Sequence, residues 1–264
     1  MHLQDIYIYP VKSLGGIRLS EAQVGIQGLA YDRRWMLVDE QGMFLTQRKH
    51  HEMALLQIEL TEEGLRVFNK RRPFESHVIP IEPLTDRLVP VTVWDDTVIG
   101  QVVSEASSRW FSEVLGRSCQ LVYMPASTQR HINEKYAVNQ ETVSFADAMP
   151  YLLIGQSSLD DLNEKLNDRV PMNRFRPNLV VSGGMAFEED NWKMVKIGEC
   201  TFKVTKPCAR CVVTTINQET ARAGKEPLKT LSTYRSVNNK VLFGQNMIAI
   251  TLGKVQAGDK VIPI

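Results

Sequence analysis

KPCARCVVTTIN, residues 206–217, places two cysteines around Ala209 and Arg210 and runs straight into β-branched residues. A C-x-x-C pair fits a redox disulfide, half of a zinc site, or a loop in which only one thiol has chemistry. In a thioredoxin-like site the pair opens a helix, whose N-terminus lowers the first thiol's pKa. Here VVTTI (212–216) predicts a strand, which weakens the redox reading. A structural zinc site needs four ligands. Cys119 and Cys200 stand alone, and the five histidines keep no ligand spacing to the pair. Two readings stay open: both thiols are small buried hydrophobes at a strand start, or Arg210 favours a thiolate, the form that binds a soft metal.

The rest of the chain extends the β reading. WMLVDEQGMFLT (35–46), LQIELTEEGLRVF (56–68) and VTVWDDTVIGQVV (91–103) each read as two apolar runs around a turn, the signature of a hairpin. Such hairpins predict an antiparallel sheet or partial barrel in the first hundred residues. SEASSRWFSEVLG (104–116) changes the period: Ala106, Trp110 and Val114 fall on one helical face, with Gly116 as a stop. A second helix is expected in SSLDDLNEKLNDRV (157–170), capped by Ser157 or Ser158, with Leu159, Leu162 and Leu166 buried. Strands are expected at 151–154, 178–184, 200–204, 212–216 and 246–252. The fold class is therefore mostly β with a few helices, in two packed parts, 1–110 and 111–264, with the boundary between about 100 and 120.

With 264 residues and a net charge of +1, no global field favours nucleic acid or an anionic membrane. No secretory signal and no apolar run of membrane-spanning length is present in the sequence. Four cysteines do not make a disulfide scaffold, so a reducing, cytoplasmic compartment is expected. Any bound anion must be held by locally gathered cations. Candidates are Lys12 in YPVKS, Arg33 and Arg34 in YDRRW, Arg174 and Arg176 in NRFRPN, and Arg210. Together they would suit a phosphate, but spacing alone does not bring them together.

YPVKS (9–13), DRRW (32–35), FADAMPYLLIGQSSLDDLN (145–163), NRFRPNLVVSG (173–183), PCARCVVTTI (207–216), KEPLKTLSTYR (225–235) and FGQN (243–246) occur in that order. Together they resemble the MOSC-domain molybdenum enzymes, in the branch with an N-terminal β-barrel domain packed on the MOSC β-barrel domain. That branch includes the mitochondrial amidoxime-reducing component and bacterial reductases of N-hydroxylated purines. The resemblance implies a molybdenum cofactor (molybdopterin) in a cleft between the two parts, with Cys211 as metal ligand and catalytic residue. It assigns the pterin and phosphate contacts to Lys12, Ser13, Arg33, Asp147, Ala148, Arg176, Asn178, Ala209, Arg210 and Asn246. The implied reaction is two-electron reduction of an N–O bond in a small N-hydroxylated substrate.

Some relatives of this kind continue into a ferredoxin domain, but no cysteine follows Cys211 here. Electrons are therefore expected from a separate flavoprotein, ferredoxin or b-type cytochrome, delivered to a monomer. One departure stands out: Ala221 occupies a position where such proteins often carry the glycine of a tight turn. Two rival readings are a cofactor-binding or sulfur-handling MOSC protein without reductase activity, and a thiol–disulfide module.

Overall fold

The strand Cys200–Ala209 pairs antiparallel with Met194–Ile197 on one side and Lys240–Ala249 on the other. It lies in a nine-stranded sheet of the computed structural model, which describes residues 1–264. Beyond Lys240–Ala249 come Tyr151–Gly155, Leu179–Ser182, His2–Ile8 and Ile17–Leu19. Tyr151–Gly155 and Leu179–Ser182 run parallel, joined by a crossover through the helix Gln156–Glu164. The first strand of the chain thus sits next to the edge strand of a sheet built mostly from its second half. Glu21–Gly25 is held likewise, paired with Gly253–Gln256.

The expected hairpins account for most of the remaining β structure. Leu56–Thr61, Gly64–Asn69 and Arg72–Ile79 form a meander. Leu88–Val93 and Asp96–Val102 form another hairpin, continued by Gln120–Tyr123 and Trp35–Val38. In 35–46 only the first arm is a strand; the return arm bridges it once, Val38 to Phe44, and makes a second bridge, Met43 to Thr92. Helix α1 (Glu105–Leu115) packs on Gln120–Tyr123 and on the meander. A division at residue 110 therefore falls inside α1. Trp35, Met53, Leu65, Val67, Phe111 and Leu121 share one core between the two sheets.

Three local expectations are corrected. Helix α1 starts at Ser104, whose hydroxyl accepts from the Ser107 N–H, and stops at Gly116 in the left-handed region. Its buried face is Ser107, Ser108 and Phe111, rotated from the expected stripe, and Ala106 is exposed. Helix α2 (Gln156–Glu164) buries Leu159 and Leu162 as expected, but neither Ser157 nor Ser158 caps it. The Glu189 carboxylate does so from a distance, accepting from the Gly155 N–H at 2.9 Å and from the Ser158 hydroxyl. Third, Val212–Thr215 is a 3₁₀ turn, not a strand. Thr214 and Thr215 each donate their hydroxyl to the carbonyl three residues back, on Cys211 and Val212. That bond offsets the strand preference of β-branched residues.

The third helix, α3 (Leu228–Tyr234), packs against Lys240–Ala249. Within that strand Gly244 has φ +79, and a Cβ there would lie 2.8 Å from the Leu153 carbonyl oxygen and 2.6 Å from Ile154. Only glycine lets the two strands close. Gly244→Ala is expected to cost about 2 kcal/mol or more, read as a lower denaturation midpoint. Unchanged stability would show that the strand pair tolerates a wider spacing.

Candidate functional site

A cleft of about 630 Å³ lies over the face of the large sheet that carries Leu152, Leu242 and Asn246. All eleven residues expected at the site border it: Lys12, Ser13, Arg33, Asp147, Ala148, Arg176, Asn178, Ala209, Arg210, Cys211 and Asn246. Arg34 does not. It turns away to donate to the Met124 carbonyl and lies over the Tyr123 ring.

The deepest part is organised by a residue the sequence reading passed over, Asp32. Its buried carboxylate accepts from the Tyr9 N–H at 2.7 Å, from the Asn178 amide at 3.0 Å and from the Arg33 guanidinium. The Arg33 and Arg176 guanidinium groups both lie over the Tyr9 ring, at 4.3 and 4.2 Å from its centre. Burial pushes the Tyr9 phenol up to about 12 and Arg176 down to about 10, so the phenol is neutral and Arg176 charged at neutral pH. Ser13, Arg33 and Arg176 have φ of +69, +50 and +55. Non-glycine residues there cost of order 1–3 kcal/mol each and concentrate at binding and catalytic sites. Asn178 borders the cleft, but its amide already bonds Asp32, the Tyr7 carbonyl and the Leu152 N–H. It holds the wall together.

Lys12 donates to Asp147 at 2.6 Å and to the Phe145 carbonyl at 2.7 Å. Burial pushes Lys12 down to about 8, against the pull of Asp147. For Asp147, burial raises the pKa, but Lys12, Arg48 and hydrogen bonds from Lys12 and Trp94 outweigh it and hold the carboxyl below its usual range. Its side chain is 56% exposed at the cleft edge, so water screens this pairing. Arg48, also missed from sequence, reaches Asp147 at 3.2 Å and stacks 4.3 Å from the Trp94 ring. Buried Arg130 braces the loop from behind, donating to the carbonyls of Ser144, Ala146 and Asp147.

Arg210 donates to Cys208 Sγ at 3.0 Å and to the Phe175 carbonyl, not to Cys211. In extended chain, side chains two apart share a face and neighbours do not. Cys208 lies within a strand, so no helix begins at the first cysteine as a thioredoxin-like site requires. Cys211 caps the 3₁₀ turn with an extended backbone. Arg174 fixes that turn by donating to the Thr214 carbonyl at 2.8 Å and to the Glu226 carbonyl. Ala221 has φ +58, the conformation that a glycine would take there without strain.

Sequence comparison places these walls in known company. The MOSC N-terminal beta barrel domain matches residues 1–118, and the MOSC domain matches 140–262. The chain is 32% identical to mouse mitochondrial amidoxime-reducing component 1 over 97% of its length and 80% of that protein's. It is 34% identical to rat mitochondrial amidoxime reducing component 2 over 98% and 82% of the two chains. The chain belongs to the MOSC family. It also matches the molybdenum cofactor sulfurase of rice at 34% identity, spanning 32% of that longer protein. Arg130 and Tyr136 of this MOSC protein come from residues 119–139, between the two matched domains, yet both contribute to the cleft or its support.

Lys12 gives the cleft a pH signature. The amine is charged below about pH 8 and neutral above it, so affinity for a phosphate anion should fall as pH rises through that value. Calorimetric titration with inorganic pyrophosphate checks this, and Lys12→Met should flatten the profile. A wild-type profile level from pH 7 to about 10 would contradict the assignment. Ala221→Gly should raise stability by up to about 1 kcal/mol, because relieved strain exceeds the added chain entropy. A lower midpoint in thermal denaturation would count against it.

Proposed function

We propose that this protein is a molybdenum-cofactor oxidoreductase that reduces N-hydroxylated compounds with electrons from a separate protein. The observation that carries the reading is the composition of one cleft. Eight cations border it (Lys12, Arg33, Arg48, Arg174, Arg176, Lys206, Arg210 and Lys240) against one carboxylate, Asp147, with the Cys211 thiol among them. The whole chain has a net charge of only +1. The chemistry of these residues fits a pterin carrying a phosphate and needing one soft protein ligand. Buried Arg210 Nε, which has no partner in the protein, supplies a donor for such a ligand.

The cofactor, when bound, supplies the two-electron redox centre for R–NHOH + 2 e⁻ + 2 H⁺ → R–NH₂ + H₂O. Arg33, Arg176 and Arg210 would hold its anionic end, and Lys12 Nζ keeps its proton at neutral pH beside Asp147. Cys211, presented on the braced 3₁₀ turn, would be the metal ligand. Cys208 serves the loop through Arg210. The names of the amidoxime-reducing relatives support the substrate class. The sulfurase matches favour a second reading, a cofactor-handling protein without reductase activity.

The test is reduction of benzamidoxime by molybdenum-loaded protein with reduced viologen as donor. Wild type should turn over, Cys211→Ser should lose nearly all activity and change the molybdenum spectrum, and Cys208→Ala should keep most of it. Arg176→Ala should lower cofactor content while the fold survives, since a charge-assisted contact is worth about 1.5–3 kcal/mol. Full activity in Cys211→Ser would sink the ligand assignment. Cofactor-loaded wild type that reduces nothing would favour the second reading.

A further inference from the structure

The cleft mouth carries features that holding a buried anion does not require. Lys240 is exposed beside the hairpin turn Asn238–Asn239, and both turn residues have positive φ. Lys135 and Lys206 both lie over the Tyr136 ring, at 5.7 and 4.5 Å from its centre. None of the three lysines forms an ion pair. Val237, 54% exposed, borders the same cleft, and Val212, next to Cys211 in the chain, is 51% exposed. Lys135 and Tyr136 lie between the two matched domains, so the shared domain pattern does not demand them.

Apolar residues bordered by unpaired cations have the anatomy of a transient protein interface. A one-sign rim also speeds encounter with an oppositely charged partner. We propose that this mouth is the docking surface for a small acidic one-electron redox protein. The proposal rests on the reductase reading above. Reduction of one N–OH group consumes two electrons, so a reduced carrier docks twice per turnover and leaves oxidised by one electron each time. Two protons from solvent complete the amine and the water.

The experiment uses molybdenum-loaded full chain, reduced plant-type [2Fe–2S] ferredoxin as the acidic probe, and the variant Lys135→Glu, which lies outside the cations that border the cleft. Binding is read by anisotropy of labelled ferredoxin, and benzamidoxime reduction is driven by either ferredoxin or reduced viologen. Wild type should bind ferredoxin with an affinity that falls as salt rises. The variant should lose about tenfold or more in binding and in ferredoxin-driven kcat/KM, with viologen-driven rate and molybdenum content unchanged. Equal ferredoxin binding by variant and wild type overturns the proposal. So does salt-insensitive binding, or wild type that ignores ferredoxin but binds anionic phospholipid vesicles. Loaded wild type that shows no viologen-driven turnover removes the reductase reading, and this proposal with it.

Discussion

Gathering cations around one cleft in a nearly neutral protein creates repulsion that the fold must offset. Arg33 and Arg176 share the Tyr9 ring, which puts them no more than roughly 8.5 Å apart and sets at least about 2 kcal/mol of repulsion between them at an effective dielectric near 20. Asp32 answers that charge directly, and the π face of Tyr9 lies against both guanidinium groups. The same carboxylate bonds the Tyr9 backbone and Asn178, which in turn ties Tyr7 to Leu152. One buried acid therefore offsets part of that charge and ties the first strand to Leu152 of the large sheet through Asn178. Charge balance and topology have a common origin here.

That coupling explains why the two ends of the chain interleave. Lys12 and Ser13 follow the strand His2–Ile8, which is locked beside Leu179–Ser182, and Arg176 and Asn178 immediately precede that partner. Pairing of these strands brings the residues to one cleft without long loops. The cysteine loop enters from Cys200–Ala209, across Lys240–Ala249 and Tyr151–Gly155. The sheet order supplies the convergence that linear spacing lacks.

The sequence was most readable where local chemistry decides structure. The hairpins at 56–69 and 88–102 and the start and stop of α1 follow alternation and turn residues. It failed where a distant partner decides. The cap of α2 is Glu189, about thirty residues away, and the turn after Cys211 is held by its own threonines and by Arg174. The residues taken from family resemblance all border one cleft. Asp32, Arg48 and Arg130 were missed because nothing local distinguishes a buried or bridging charge from a solvated one. Which thiol Arg210 meets was not legible either, because adjacency in sequence does not set where a guanidinium points. Ala221 stands where a glycine is often found, and it takes the positive φ that a glycine adopts freely.

The central claim is that these gathered cations and the Cys211 thiol form the seat of a pterin-bound molybdenum. Its most direct measurement is elemental and pterin analysis of the wild-type chain purified from a host that makes the cofactor. The account predicts molybdenum and pterin in equal amounts, each near one per chain, released together on denaturation. Protein that is folded and yet carries neither, from a host that loads a known molybdenum enzyme in parallel, would contradict it.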